Sequence, residues 1–320
     1  MSVNSAEFKK AVAPIAPRLK LDPDRLLKVG GAHDPLSARL VERAGFPAVW
    51  LSGFCVSASY LGMPDSNLLT MSESTDVARR VAAAVTIPVI VDADNGFGDA
   101  MNTARAVREY GMGGVAGVCI EDNIFPKRCS LYAGAARELL SVKEMCEKLA
   151  SAKKVAAQFG MLLIGRVESL IAGFGIEDAV TRANAYAEAG VDAVLIHSRS
   201  FAPLREITMS KRLTRPLVLV PTLFPQTPFS EMQEHGIAMA IYANQLMRAM
   251  VRAGQIAMER LLQAQSLSDA DDLLVSVDDI NHLVGVPAEW RAEKPSKENE
   301  THAAGKATGS IARGKPAVRV

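Results

Sequence analysis

The sequence predicts an α/β protein of the (β/α)8 TIM-type barrel class, and three observations support this prediction. Short apolar runs recur along the chain, stretches compatible with helices separate them, and most runs end in small or polar residues. Runs of this length are typical of strands buried in a parallel sheet. They lie at residues 27–33, 48–53, 88–94, 117–122, 162–169, 193–198, 216–222 and 239–244.

Helix-compatible stretches fill the intervals between these runs, for example at residues 36–45, 75–85 and 177–190. Two of them end in Ala-Gly, a common stop signal. Alternating strands and helices imply right-handed crossovers and a parallel sheet. Eight such units favour a closed barrel. A doubly wound open sheet is the alternative, but no GxGxxG motif follows the first run.

The chain is expected to have three parts. An N-terminal segment covers residues 1–24, the barrel with its C-terminal helices covers 25–290, and a disordered tail covers 291–320. A long helical stretch at 245–265 follows the last apolar run. The tail is rich in Lys, Ala, Gly and Thr and has almost no large apolar side chains, so it could bury little surface.

Composition excludes several classes of partner. The net charge is +1 and only 5% of residues are aromatic, so neither a nucleic acid nor an acidic membrane is an expected partner. The first ten residues do not resemble a signal peptide, and no apolar run approaches the length of a membrane helix. The cysteine spacings match no zinc motif, and the four cysteines are too few for a disulfide framework. We therefore expect a cytoplasmic protein with reduced thiols at Cys55, Cys119, Cys129 and Cys146.

Carboxylates follow two neighbouring predicted strands, where active-site groups of such barrels lie. Asp92 and Asp94 end the third run and Glu121 ends the fourth. Alternation along a strand would turn both aspartates toward the barrel axis. Oxygen ligands without a His or Cys cluster indicate a hard cation, with Mg²⁺ first and Mn²⁺ as a substitute. The alternative is that these carboxylates only cap the following helices.

Two further polar side chains lie on apolar strands. Arg166 would be buried and needs an anionic partner, either a substrate carboxylate or phosphonyl group or a structural ion pair with Glu168. His197 follows four apolar residues and is either a functional group or a buried core residue. After the fourth run, Lys127 and Cys129 lie on a loop that could close over a substrate. An exposed basic turn is the alternative reading.

Five segments in order carry a resemblance to a known family. They are WLSGFCVSASYLGMPDSN (50–67), VDADNGFGD (91–99), CIEDNIFPKRCS (119–130), GRVESLIAG (165–173) and VLIHS (194–198). On these motifs the sequence closely resembles the phosphoenolpyruvate mutase/isocitrate lyase superfamily. The resemblance implies a Mg²⁺-dependent barrel that acts on a small α-keto acid or phosphonate. It also implies a homotetramer, a dimer of dimers that swap the extended C-terminal helix.

The resemblance also implies roles for individual residues. Asp92 would bind Mg²⁺ directly, and Asp94, Glu121 and Asp65 would act partly through water. Ser52, Gly53 and Phe54 would hold the keto-acid end of the substrate with backbone N–H groups. Residues 127–131 would form a gating loop. The implied catalytic residues are Asp65, Lys127, Cys129, Ser130, Arg166 and His197, and the implied substrate-binding residues are Trp50, Ser52, Gly53, Phe54, Leu131, Arg166 and His197.

The loop sequence separates the branches of the superfamily. Mutases carry EDK, five residues, then NS, whereas this chain has Asn123 in place of the Lys and Cys129 in place of the Asn. Lyases carry a Gly-His pair after the Cys, whereas this chain has Ser130 and Leu131. The segments SGFCVSASYLGMPDSNLLTMS, RVESLIAG, LIHSRS and PLVLVPT most resemble the phosphonopyruvate hydrolase branch. The alternatives are a phosphoenolpyruvate mutase, a carbon–carbon lyase of the 2-methylisocitrate type, and a non-catalytic protein that binds metal and keto acid.

Overall fold

Eight parallel strands form a closed barrel in the computed structural model, which describes residues 19, 21–22, 24–129 and 138–290. Neighbours in sequence are neighbours in the barrel, and β8 pairs with β1 to close it. Each strand lies largely within one of the predicted apolar runs, which confirms the barrel prediction. The strands are β1 (Leu27–Ala32), β2 (Val49–Leu51), β3 (Val89–Asp92), β4 (Gly117–Glu121), β5 (Leu162–Val167), β6 (Ala193–Ile196), β7 (Leu217–Leu219) and β8 (Ile237–Tyr242).

Helices connect the strands, and further helices follow the last strand. They are α1 (Pro35–Arg43), α2 (Gly53–Val56), α3 (Met71–Ala84), α4 (Ala100–Met112), α5 (Val142–Phe159), α6 (Ser169–Ala172), α7 (Ile176–Glu188), α8 (Phe201–Met209), α9 (Phe229–Glu234), α10 (Gln245–Gln263) and α11 (Val277–Val284). A π-helical turn at Ser57–Leu61 extends α2, and 3-10 turns lie at Pro221–Leu223, Leu267–Leu273 and Ala288–Trp290.

Local sequence signals explain where the helices begin and end. Thr70 and Glu73 form a reciprocal capping box at the start of α3, and Ser141 and Glu144 do the same for α5. These pairs satisfy backbone N–H groups that have no partner inside the helix. The predicted Ala-Gly stops are confirmed, since α1 ends before Gly45 and α7 ends before Gly190.

The core has two layers because successive strand residues point to opposite faces. In β2, Trp50 belongs to the cluster that fills the barrel interior, with Ile90, Ile164 and Leu195. Val49 and Leu51 belong instead to the layer between the strands and the helices. Apolar side chains fill the barrel interior below the carboxyl ends of the strands. The polar side chains at those ends therefore lie on top of a packed layer.

The chain divides into two compact units, residues 1–273 and 274–320, and the whole barrel lies in the first. The division after residue 273 lies before the predicted domain boundary at residue 290. The domain boundaries at residues 24 and 290 stay predictions. Residues 291–320, predicted as a disordered tail, lie outside the described residues. Within the described ranges, no helix has the length and apolar character needed to cross a membrane.

The long helix predicted after the last strand is present as α10 and packs little of its surface. Only Ala257 of its residues is buried, while Met258 is 61% exposed and Leu262 is 88% exposed. Apolar side chains of this size are usually covered when they recur along one helix. The structure confirms the helix and does not test its predicted exchange between subunits.

Candidate active site

A pocket opens at the carboxyl ends of the strands and collects nearly all of the predicted site residues. Those that line it are Trp50, Ser52, Phe54, Asp65, Asp92, Glu121, Lys127, Cys129, Arg166 and His197. Gly53, between the lining residues Ser52 and Phe54, is close to Asp94. A Cβ atom on Gly53 would be 2.9 Å from Asp94 Oδ1. Ser130 and Leu131, also predicted to take part, lie outside the described residues.

Lys127 forms the centre of one charged cluster. Its ammonium Nζ is 2.5 Å from Asp94 Oδ1 and 2.8 Å from Asp65 Oδ1, and all three side chains are buried. The contact with Asp65 is an ion pair without hydrogen-bond alignment. Burial raises the pKa of Asp94 to about 7 although Lys127 opposes the shift. Burial lowers the pKa of Lys127, but Asp94 and Asp65 outweigh it and leave that pKa well above its usual value.

Asp94 reaches this cluster in a way that strand alternation does not predict. Strand β3 ends at Asp92, and Asp94 lies in the turn that follows, with φ +49°. The turn is closed by a hydrogen bond from the Gly96 N–H to the Ala93 carbonyl. The expectation that both aspartates turn toward the barrel axis as alternate strand residues is therefore wrong. The turn directs the Asp94 carboxylate to Lys127 and to the backbone of Gly53.

Arg166 forms the centre of a second cluster. Its Nε is 2.5 Å from Glu168 Oε1, and its Nη1 is 3.4 Å from Glu121 Oε2 and 3.6 Å from Asp92 Oδ2. His197 Nδ1 lies 3.0 Å from both Arg166 Nη2 and Glu168 Oε1. The ion pair with Glu168 that the sequence left as an alternative is thus present. The guanidinium also reaches the pocket, so Arg166 has both a structural partner and access to a ligand.

Negative charge exceeds positive charge among these buried groups. Five carboxylates, those of Asp65, Asp92, Asp94, Glu121 and Glu168, face two cations, Lys127 and Arg166. Like charges held this close repel unless a cation or a proton intervenes. The oxygen donors and the surplus charge fit a hard divalent ion. As they stand, however, no three His, Cys, Asp or Glu side chains in the described ranges form a group that could hold a metal ion. Lys127 holds two of these carboxylates and Arg166 holds the other three.

Backbone donors border the same pocket at the start of α2. The Ser52 side chain accepts from the Cys55 N–H at 3.4 Å and its carbonyl accepts from the Val56 N–H at 2.9 Å. The N–H groups of Gly53 and Phe54 belong to the first turn, where no intrahelical acceptor exists. The close approach of Gly53 to Asp94 leaves no room for a larger residue. An anionic oxygen of a substrate would therefore meet N–H donors next to the carboxylate cluster.

The two ends of the segment between β4 and α5 pair with each other in an antiparallel arrangement. We call this pairing the stem (residues 122–124 and 138–140). Ile124 N–H donates to the Glu138 carbonyl, Leu140 N–H donates to the Asp122 carbonyl, and Asn123 pairs with Leu139. The stem places Cys129 at the pocket, where it is buried. The loop interpretation of this segment is therefore preferred over an exposed basic turn, because Lys127 and Cys129 face inward.

Asp122 secures the base of the stem. Its carboxylate accepts hydrogen bonds from the Glu168 backbone N–H at 2.9 Å and from the Tyr186 hydroxyl at 2.7 Å. Arg182 lies 3.4 Å from the same carboxylate and donates to the Leu140 carbonyl at 2.8 Å. Burial raises the pKa of Asp122 to about 6, although these hydrogen bonds oppose the shift.

The fold brings further residues to the site. No sequence pattern indicates Thr222, whereas Glu168 lies beside Arg166 on the fifth apolar run and Asn244 ends the last run. Both Thr222 and Asn244 line the pocket, and each has a buried side-chain oxygen without a hydrogen-bond partner among the described residues. Such oxygens usually bind water or a ligand.

Comparisons with known proteins agree with this geometry. The family model described as phosphoenolpyruvate phosphomutase matches residues 19–262. A phosphonopyruvate hydrolase of Variovorax sp. (strain Pal2) is 40% identical over 271 residues, which is 84% of this chain and 93% of that protein. A phosphoenolpyruvate phosphomutase of Tetrahymena pyriformis is 36% identical and covers 82% of this chain and 88% of its own length.

A solved structure extends the comparison to three dimensions. The crystal structure of a phosphonopyruvate hydrolase in complex with oxalate and Mg²⁺ superimposes with a TM-score of 0.76 at 36% identity, covering 90% of this chain and 95% of that one. Fold, site residues and sequence likeness therefore agree along most of the chain. The chain belongs to the phosphoenolpyruvate phosphomutase family.

Proposed function

We propose that this protein hydrolyses the carbon–phosphorus bond of phosphonopyruvate and releases pyruvate and phosphate. The observation that carries the proposal is a buried pocket in which Arg166 and His197 face carboxylates and backbone donors, with Cys129 at the loop that borders it. The 40% identity to a phosphonopyruvate hydrolase supports the same choice. A site that offers Arg166 and His197 as well as backbone N–H donors suits a substrate with a keto-acid end and a phosphonyl end.

We propose Mg²⁺ as the cofactor, with Mn²⁺ as a substitute. Support comes from the surplus of buried carboxylates and from the Mg²⁺ and oxalate bound by a structural relative. Asp92, Asp94 and Glu121 would hold the ion, and Asp65 would contribute through water. When bound, the ion would polarise the C2 carbonyl of the substrate as a Lewis acid.

The residues of this chain have separate tasks in the proposed reaction. The N–H groups of Gly53 and Phe54 would stabilise the oxygen charge that develops when the carbon–phosphorus bond breaks and its electron pair stays on carbon. Arg166 and His197 would hold the phosphonyl oxygens in place. Water attacks phosphorus to form phosphate, and the carbon takes up a proton to give pyruvate. Exclusion of other water by residues 127–131 would limit side reactions.

Cys129→Asn tests whether the loop decides between hydrolysis and isomerisation. An amide can retain a phosphoryl group by hydrogen bonding more strongly than a thiol can. We therefore expect this variant to convert a measurable share of phosphonopyruvate to phosphoenolpyruvate while hydrolysis falls by about tenfold. Product ratios measured by phosphorus NMR would show this. No gain of isomerisation together with unchanged hydrolysis would contradict the role assigned to the loop.

Phosphorus NMR of the purified protein with Mg²⁺ and phosphonopyruvate tests the proposal as a whole. Growth of an inorganic phosphate signal alone is the expected result. A phosphoenolpyruvate signal would instead identify a mutase. An unchanged spectrum would reject both carbon–phosphorus reactions. Binding without turnover of any candidate substrate would identify a protein that only binds metal and keto acid.

A carbon–carbon lyase of the 2-methylisocitrate type is the second candidate, because Cys129 lines the pocket and could serve as an acid or base. This reading predicts turnover of a tricarboxylate that Cys129→Ser abolishes. The hydrolase reading predicts no such turnover in either protein. A coupled assay for the keto-acid product separates the two readings.

We further propose that the protein is a cytoplasmic homotetramer, in which α10 packs against a second copy. Exposed Met258 and Leu262 on that helix support a covered face, and the absence of disulfides among the four cysteines, all of which are described, supports a reducing compartment. Light scattering should give four times the chain mass. A monomer at micromolar concentration would overturn the quaternary proposal.

A further inference from the structure

Asn67, in the segment between β2 and α3, contacts two separate parts of the active site. Its Oδ1 accepts from the Lys127 backbone N–H at 2.6 Å, and its Nδ2 donates to Asp94 Oδ2 at 3.2 Å. We propose that Asn67 is a positioning residue that joins the start of the loop to the carboxylate cluster and thereby sets where the Lys127 ammonium lies. The kinetic part of this inference rests on the proposed function, and the structural part does not.

Only one orientation of the Asn67 amide fits its surroundings. Oδ1 also accepts from Asn95 Nδ2 at 3.1 Å, so two N–H donors point at the oxygen. If the amide were reversed, its NH2 group would face both donors and its oxygen would face the Asp94 carboxylate. The contacts with the Lys127 backbone N–H and with the Asp94 carboxylate would then both be repulsive. The amide therefore donates to one side and accepts from the other, which an ionised carboxylate could not do.

The backbone of Asn67 keeps the amide at this place. Its φ of +57° lies in the left-handed region, which Asn adopts more readily than most residues. Glycine also adopts this region without strain, whereas alanine does not. Asn67→Gly therefore removes the amide while it preserves the backbone. The same substitution at Lys211, an exposed residue with φ +52° after α8, gives a matched control away from the pocket.

Asn67 holds one end of Lys127 while the carboxylates hold the other. The ammonium contacts Asp65 and Asp94, and the backbone N–H reaches Asp94 through the Asn67 amide. Lys127 and Asn67 lie 60 residues apart in sequence, so no local structure replaces the contact. Without the amide, the ammonium and the main chain of Lys127 would no longer be fixed to the same carboxylate. The segment would then open more often, because local opening follows the loss of local contacts.

The first measurement is cleavage of the full-length protein by a protease specific for lysine. Lys127 is only 4% exposed, so cleavage of the Lys127–Arg128 bond requires local opening. The initial rate of cleavage at this one bond, followed by mass spectrometry, should be about tenfold higher in Asn67→Gly than in the natural sequence or in Lys211→Gly, a control that removes only its own cleavage site. Equal melting temperatures for the two glycine variants would show that the effect is local.

The second measurement is steady-state turnover of phosphonopyruvate with Mg²⁺. We expect kcat of Asn67→Gly to fall about 10- to 100-fold, because misplacing a group in the pocket by about 1 Å costs this much. KM should change less than about threefold, since the contacts of Arg166, His197 and Ser52 are unaltered. Asn67→Asp keeps an acceptor for the Lys127 N–H but places a carboxylate against Asp94. It should slow the cleavage relative to Asn67→Gly while kcat remains low.

The outcomes separate this inference from the proposed function. The inference would be overturned if Asn67→Gly had the same cleavage rate and the same kcat as Lys211→Gly. It would also be overturned if Asn67→Gly showed a raised KM with an unchanged kcat. If the natural sequence does not turn over phosphonopyruvate, the proposed function fails and the cleavage rates alone decide. Faster cleavage in Asn67→Gly would then still support the positioning of Lys127, and an unchanged rate would refute it.

Discussion

Asp92→Ala should lower metal-dependent turnover of phosphonopyruvate by at least about 10³-fold, since a Lewis-acid metal contributes several kcal/mol to transition-state stabilisation. The carboxylate lies at the end of β3, lines the pocket and is 3.6 Å from Arg166 Nη1. Its removal would delete one of the proposed oxygen ligands and would leave the guanidinium without one of its partners. The measurement is kcat/KM across a Mg²⁺ titration, together with the affinity for the metal by calorimetry.

The control for this prediction is Asp271→Ala, which removes an exposed carboxylate far along the chain and should leave turnover unchanged. A chelator should reproduce the loss in the natural sequence, and added Mg²⁺ should restore activity. Undiminished turnover with EDTA present would refute the metal assignment. Turnover of Asp92→Ala close to that of Asp271→Ala would refute the role of Asp92 in particular.

Arg166→Met should lower both stability and turnover. The substitution leaves Glu168, which is fully buried, without its 2.5 Å partner and removes a contact from Glu121. Breaking a buried ion pair from one side costs about 3–5 kcal/mol of unfolding free energy, because the remaining charge stays buried. Denaturant unfolding measures this loss. Turnover should fall by about 10³-fold as the anion-binding cation disappears.

The double variant Arg166→Met with Glu168→Gln distinguishes the two effects. Removing both charges should restore much of the unfolding free energy, whereas turnover should stay low. Arg212→Met provides the matched control, because Arg212 makes a comparable bidentate ion pair with Glu177 at 2.7 Å on the exposed surface. It should change neither property greatly. A double variant that regains turnover would mean that Arg166 serves the fold and does not bind the substrate.

Much of the fold could be predicted because its signals are local. A buried parallel strand appears as a short apolar run, and a helix is marked by a cap and a stop, so β3 and the end of α1 can be predicted from short windows of sequence. The rim position of Asp92 and Glu121 then follows from barrel topology alone. What these residues bind is a further step, which composition and spacing limit to a hard cation.

The remaining features depend on contacts between distant residues. The turn that carries Asp94 out of β3 depends on a φ of +49° that the apolar pattern does not show. Lys127 was expected to face the substrate, yet its ammonium pairs with Asp65 and Asp94. Asn67 is the last residue of the first family segment, but its local sequence does not distinguish it from an ordinary turn residue. Such roles depend on which side chains the closed barrel brings together across many tens of residues.

The stem has a consequence for how this protein could change over evolutionary time. Hydrogen bonds between residues 122–124 and 138–140 hold the two ends of the intervening segment side by side. For a segment with fixed ends, each doubling of length costs only about 0.6 kcal/mol in closure entropy. Changes of length after Cys129 and before Glu138 should therefore be inexpensive, and the strands need not adjust to them. Lys127 cannot vary as freely, because its ammonium is held by Asp65 and Asp94.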